Sequence, residues 1–334
     1  MPHDGKPLYA ARLNSFKVGA EHYWPGKNRI TTVDLLERAA AVDGLNAADL
    51  NFPDHFEGTG AVELSSAMDR LGVRLNGLAM RYYSDPAFKL GAFTSPDHAA
   101  RRAAIDLTKR GLDTLAAMGG RLMTLWLGQD GFDYSFQGDY GRLWDDAISA
   151  IQEVAAHNST IDIAIEYKPN DPRAYSLMPD VATTLLAVHE AGNANLGVTL
   201  DLAHVLYADE MPAYAAWLVG RHSRLLGVQL NDGYAKRDDG LMVASVHPVQ
   251  TLELLVELER VGYSRAIYFD TFPDSSGLDP QEETRTNILM VERLRAVAER
   301  LVDHEELATA IARQDATLSQ RIVAAALYRG EGGR

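Results

Sequence analysis

Glu166 and Lys168 stand two residues apart in Ile165-Glu-Tyr-Lys-Pro-Asn-Asp-Pro-Arg173. In an extended chain that spacing sends both side chains off one face, so a carboxylate and an ammonium enter the same site. The pairing suits chemistry in which the carboxylate binds a metal and the ammonium polarises a substrate oxygen. A buried salt bridge that terminates a strand is the plainer reading of the same two residues. Leu200-Asp-Leu-Ala-His204 sets an aspartate three residues before a histidine. Carboxylate oxygen and imidazole nitrogen both ligate Mn or Co, although a helix-capping aspartate would leave the same trace. The stretch from Gly227 to Asp239 adds the amide oxygen of Gln229 and the carboxylates of Asp232, Asp238 and Asp239. Its turn-forming residues also describe an ordinary polar loop. Asp270, in Tyr268-Phe-Asp, completes the set.

What must position these groups is a series of short apolar or alternating runs, each followed by polar or turn-forming residues. The expected strands are Phe16–Ala20, Ala48–Phe52, Val73–Ala79, Arg121–Leu127, Asp162–Tyr167, Leu196–Asp201, Leu225–Leu230 and Arg265–Asp270. Helical periodicity fills the gaps over Pro96–Met118, Arg142–Ala156, Met178–Ala191, Tyr214–Arg221 and Pro248–Val261. Pro96, Pro179 and Pro248 lie near helix starts; Gly119, Gly192 and Gly262 lie just past helix ends. Eight strands alternating with helices give an α/β fold, a (β/α)8 TIM barrel. A doubly wound sheet would carry a Gly-rich phosphate loop after its first strand, and Lys17-Val-Gly-Ala-Glu-His is not one. The expected division is a barrel over residues 1–278, then the last barrel helix and a C-terminal helical extension over 279–334. Within the extension, helices are expected over Asp279–Leu301 and His304–Tyr328, with a frayed tail from Gly330.

In such a barrel, polar residues at the carboxyl ends of strands point into the active site. Asn51, Asp54 and His55 end the second strand, Arg81 the third, Trp126 the fourth, and Glu166 and Lys168 the fifth. Four individually weak signals therefore fall at one end of consecutive strands. Glu166, Asp201, Gln229 and Asp270 are expected to converge as a cage for one ion, and His204 with Asp232, Asp238 or Asp239 to hold a second. Arg81 and Arg173 either bind substrate or brace loops, and bracing is the reading preferred for both.

Composition narrows the partners. Asp plus Glu number 46 against 32 Lys plus Arg, a formal charge of −14, which argues against nucleic acid and anionic membrane as partners. With no cysteine, disulfides and thiolate metal sites are excluded, so a metal must rest on carboxylates, imidazoles and amides. That donor set suits Mn, Mg or Co. No apolar run approaches a bilayer span, and the first residues lack the pattern of a secretory signal; the expected location is cytoplasmic.

The Glu166–Arg173 segment resembles the Glu-x-Lys-Pro-Asn-Glu-Pro-Arg segment of xylose isomerases. Further stretches are similar to bacterial L-rhamnose isomerases of broad aldose specificity in that superfamily. They are Leu75-Asn-Gly through Lys89-Leu-Gly-Ala-Phe-Thr-Ser-Pro-Asp97, Leu122-Met-Thr-Leu-Trp-Leu-Gly-Gln-Asp-Gly131, Asp201-Leu-Ala-His204 and Leu230-Asn-Asp232. The resemblance implies a metal-dependent aldose–ketose isomerase of a free, non-phosphorylated sugar, acting by metal-assisted hydride shift as a homodimer or homotetramer. Carried over, Glu166, Asp201 and Asp270 would ligate a structural ion. His204 and an aspartate of the 232–239 loop, Asp232 or Asp238, would serve a catalytic one. The ion would be Mn, or else Mg or Co. Lys168 would stand near the substrate carbonyl, and Trp126 would form the apolar wall beside the reacting carbons. Two departures stand out: Gln229 and Asn51 replace family histidines, with His55 expected to compensate for the second. Ketose 3-epimerases, and lyases or dehydratases of modified sugars, share the barrel; a noncatalytic sugar-binding protein is the reading from another class.

Overall fold

Alternation along a strand sends successive side chains to opposite faces, and a barrel turns one of those faces inward. The computed structural model describes residues 7–275 and 277–328. Eight parallel strands close the barrel: β1 (Tyr9–Arg12), β2 (Ala47–Phe52), β3 (Arg74–Met80), β4 (Leu122–Trp126), β6 (Asp162–Glu166), β8 (Leu196–Asp201), β9 (Leu225–Leu230) and β10 (Ile267–Phe269). Their order round the barrel is β1-β10-β9-β8-β6-β4-β3-β2. Two short strands, β5 (Gly131–Phe132) and β7 (Tyr175–Ser176), form an antiparallel ribbon in the loops after β4 and β6. Among the described residues no helix is long and apolar enough to cross a membrane.

Two small clusters of buried side chains lie apart from the main core. Ala10, Ala47, Ala266 and Tyr268 make one, and Leu122, Ala164 and Leu226 another. The outer face, with residues such as Met123, Ile163, Ile165 and Val198, packs under the helices in the main core. Helix entry is fixed by side-chain caps that satisfy free N–H groups. Thr31 and Asp34 form a capping box, and Asp97, Asp139, Asp180 and Asp279 each accept a bond from the first turn of the helix that follows.

Two expectations need correction. The first strand is Tyr9–Arg12, not Phe16–Ala20; Phe16 sits fully buried in a 3₁₀ helix, Leu13–Lys17, and Gly19 turns the chain with φ +67°. Tyr-Ala-Ala-Arg carries little strand propensity, yet its pairing with both β10 and β2 is what closes the barrel. The last helical stretch is two helices, Glu305–Ala312 and Ala316–Tyr328. Gln314 adopts φ +55° between them, and Asp315 Oδ1 accepts the Leu318 N–H, starting the second helix as a cap. The tail from Gly330 lies outside the described residues.

Gly197 illustrates how closely β8 and β9 approach. A Cβ built on it would lie 2.4 Å from the Arg224 carbonyl oxygen, beside the register irregularity at Val198/Thr199. Gly197→Ala is therefore expected to lower the unfolding free energy by about 1–3 kcal/mol, the usual cost of overpacking. Urea denaturation of metal-free protein checks this; an unchanged midpoint would mean that the two backbones part freely.

Candidate metal centre and active site

The carboxyl ends of the strands surround a cavity of about 220 Å³ lined by residues of several strand ends and loops. Glu166 is the last residue of β6 and Asp201 the last of β8, while His204 lies in the first turn of the helix Leu202–Tyr207. One ligand atom from each of these three lies within 4.8 Å of the others. His204 Nδ1 is 3.6 Å from Glu166 Oε1 and 4.0 Å from Asp201 Oδ1. That nitrogen is buried without a hydrogen-bond partner, facing two carboxylates. Two carboxylate oxygens and an imidazole nitrogen fit a divalent ion such as Mn, Mg or Co.

The surrounding bonds hold this triad in place. Asn231 Nδ2 donates to both oxygens of Asp201, at 3.1 and 3.0 Å, and Asn231 Oδ1 accepts the Ala203 N–H at 2.8 Å. The His204 N–H donates to Asp201 Oδ1 at 3.0 Å. Gln229 Nε2 donates to Glu166 Oε2 at 2.9 Å, while Gln229 Oε1 is buried with no hydrogen bond. Gln229 thus orients a ligand and keeps an amide oxygen unengaged. Asp270 lines the same cavity 3.8 Å from Arg12 Nε.

Asp238 lies on the other edge of the histidine. His204 Nε2 is 3.1 Å from Asp238 Oδ2, and Lys168 Nζ donates to that same oxygen at 3.2 Å and to Asp171 at 3.0 Å. Lys168 also sits 5.3 Å from the Trp126 ring centroid, and Tyr83 meets that ring edge-on at 5.4 Å. Burial works against the Lys168 charge, but Asp238 and Asp171 overcome it and hold the ammonium more firmly than usual.

Four expected site residues are elsewhere. Asp232 is fully engaged below the loop: Oδ1 accepts from His247 Nδ1 and the Gly233 N–H, and Oδ2 from the Val246 and His247 N–H groups, all at 2.8 Å. Its oxygens fix the loop that carries Asp238, which corrects its assignment as a catalytic group. Asp239 likewise accepts from Tyr234 N and Arg237 Nε. His55 and Asn51 do not line the cavity. His55 Nδ1 accepts the Asn51 N–H at 2.9 Å and Nε2 donates to Asn14 Oδ1 at 2.7 Å. Burial, then Arg81 and Arg12, depress its pKa to about 3, so it is a neutral brace and does not replace a sugar-binding histidine.

Arg12, Tyr83, Asp171 and Phe272 join the site without having been singled out by sequence, whereas Asn231 was expected among the polar residues at the strand ends. Arg12 escaped because the first strand was placed too late in the chain; its position at the end of β1 is the signal that would have found it. Asn231 follows β9 directly, but nothing in its local sequence reports that it faces Asp201.

The electrostatics set how a metal enters. Burial disfavours charge on His204, yet Asp201, Asp238 and Glu166 together raise its pKa to about 9. Near neutral pH the metal-free chain therefore holds an imidazolium, while a metal ligand must be a neutral imidazole. Binding of Mn²⁺ at pH 7 is expected to release about one proton, and affinity should rise as pH rises toward 9. Calorimetry in buffers of differing ionisation enthalpy measures this; no proton release, or an affinity flat with pH, would remove His204 from the ligand set.

Residues 36–294 match the family model described as xylose isomerase-like TIM barrel. A Thermus thermophilus protein named xylose isomerase is 29% identical over 210 residues, 61% of this chain and 54% of that protein. The chain thus spans about half the length of the curated relatives it matches. Among solved structures, an L-ribulose 3-epimerase superposes with a TM-score of 0.67 at 14% identity, covering 90% of this chain and 99% of that one. A xylose isomerase domain protein from Alicyclobacillus acidocaldarius gives a TM-score of 0.64 at 18% identity, covering 88% and 100%. Those two likenesses speak to the fold alone. The family-model match runs from the first long helix through β10 into the helix Pro280–Leu301, and so takes in each strand end that supplies the triad; the chain belongs to the xylose isomerase-like TIM barrel family.

Proposed function

We propose that the chain is a divalent-metal-dependent isomerase that interconverts an aldose and a ketose on a free, non-phosphorylated sugar. One observation carries this reading: the Lys168 ammonium lies over the Trp126 ring in the cavity lined by Glu166 and His204, which form a potential metal triad with the buried Asp201 behind them. A fixed cation beside an apolar wall polarises a carbonyl while keeping water from the carbons that exchange hydrogen. A bound ion supplies Lewis acidity to adjacent sugar oxygens as negative charge develops on them.

The chain's own residues do the rest. Lys168 donates to the carbonyl oxygen from a position set by Asp238 and Asp171. Asp238 presents a buried Oδ1 with no hydrogen bond of its own, free to accept a hydrogen bond from a substrate hydroxyl and orient it. Burial tends to neutralise Asp238, but His204 and Lys168 reverse that and hold its pKa at about 2, so it is anionic whenever those cations are present. Trp126 and Tyr83 close the apolar side. The ion proposed is Mn²⁺, with Mg²⁺ and Co²⁺ as competitors, and the working form a homodimer or homotetramer. The family match and the relative named xylose isomerase support the isomerase class.

A second reading has an observation of its own. Glu166 and Asp270 share the cavity, and burial first, then other carboxylates, raises both, Asp270 to about 7. Two carboxyl groups that burial makes easier to protonate suit proton abstraction and return, the chemistry of a ketose 3-epimerase.

Metal-stripped protein restored with Mn²⁺ and offered a panel of aldoses and ketoses in D₂O separates the two by NMR. Aldose–ketose conversion with little deuterium uptake is expected, and Lys168→Met should reduce kcat by at least about 100-fold, as loss of an electrostatic donor does. A C3-inverted ketose carrying deuterium would replace the isomerase reading with the epimerase.

A further inference from the structure

Arg81 follows β3, its N–H held by the Phe52 carbonyl at 2.9 Å and its guanidinium lying over the Tyr83 ring, 5.6 Å from the centroid. It lines the site cavity. Each other cationic side chain there has a carboxylate within 4 Å: Arg12 has Asp270 and Asp274, and Lys168 has Asp171 and Asp238. Among the described residues Arg81 has neither an ion pair nor a side-chain hydrogen bond, and its Nε is buried and unpartnered. Asp54, Glu166 and Asp270 reach it only as longer-range charges. Arg173, by contrast, pairs with Asp133 at 3.1 Å and donates to the Lys89 carbonyl at 3.3 Å, bracing two loops.

A cation turned into a cavity without a counter-charge is costly until something anionic arrives. An ion at the triad would add positive charge to the same space, so the neighbouring acids do not relieve Arg81 once the site is loaded. The planar guanidinium offers paired donors in a fork that matches a carboxylate. Position adds a direction. In the barrel order β8, β6, β4, β3, Arg81 stands two strands round from Glu166, three from Asp201, and opposite β9.

We propose that Arg81 is a specificity-determining residue that receives a carboxylate at the end of the substrate remote from the reacting carbons, which makes the substrate a sugar acid of the aldehydo-uronate or keto-uronate class. The proposal rests on the isomerase reading for the chemistry at the triad, but not for the anion contact itself. Arg81 touches no reacting atom; its contribution is to binding and register.

The test uses the full chain loaded with Mn²⁺, offered hexuronates, the hexoses of matching configuration, and hexose 6-phosphates, with kcat and KM determined separately. Calorimetry of uronate binding runs in parallel, and metal content and thermal midpoint verify that each variant is folded. Wild type is expected to prefer the uronate, and Arg81→Met to cut the uronate-to-hexose ratio of kcat/KM roughly 10- to 100-fold, mostly through KM, as loss of a charge-assisted bond does. Arg81→Lys, which keeps the charge and loses the fork, should recover part of it. A hexose preference that Arg81→Met leaves unmoved overturns the substrate class while the isomerase reading stands. A preference for the 6-phosphate overturns the carboxylate assignment. Uronate binding that Arg81→Met abolishes, without turnover of any sugar, upholds the anion contact and sinks the isomerase reading. No uronate binding at all overturns the proposal.

Discussion

Four carboxylates, Glu166, Asp201, Asp238 and Asp270, end in one place, with side chains between fully buried and 17% exposed. Water does not screen them there, so the charge must be met by groups the chain supplies or by an ion. His204 is the shared answer: one ring nitrogen faces Glu166 and Asp201, and the other bonds Asp238. Lys168 meets Asp238 from its far side and Arg12 meets Asp270. The geometry of the mouth follows from satisfying this cluster, because each cation has to arrive from a different strand to reach its own carboxylate.

The scaffold is organised to deliver those arrivals. Parity along the strands turns Trp126, Glu166, Asp201 and Gln229 to the inner face while their neighbours bury outward under helices. Loops are pinned by carboxylates that take no part in the cavity. Asp232 gathers four donors so that Asp238, six residues on, is held against His204 and Lys168. A fully bonded buried carboxylate is a rigid anchor, and that rigidity keeps the His204–Asp238 contact from depending on a free loop.

The cavity has two unlike sides. Trp126 and Tyr83 make one wall apolar, with the Lys168 charge laid against the ring face. Arg12 and Arg81 stand at the ends of β1 and β3, flanking β2, where the His55 ring accepts the Asn51 backbone N–H and bonds Asn14. The guanidinium groups along this arc of the mouth shape what a ligand must bring. Hydroxyls satisfy donors but not charge.

Local pattern was enough for much of this. Glu166 and Lys168 share a face because alternation is a property of the extended chain itself, and Asp201 caps the turn that carries His204 because three residues separate them. Seven of the eight barrel strands were legible from runs such as Asp162–Tyr167, whose alternating apolar residues call for burial of one face. Tyr9–Arg12 was not, since two alanines give no pattern and only pairing with β10 and β2 makes them a strand; Arg12 was lost with it. Nor does sequence report direction: Asp232, Asp238 and Asp239 are equivalent in a list of residues. Folding sends the first to His247, the third to Arg237, and only Asp238 to His204. The residue types that could hold a metal were thus determined along the chain, where spacing and periodicity act. Which of them meet, and which cation is left without a partner, was decided by closure of the barrel, because contacts between residues thirty to seventy positions apart have no local cause.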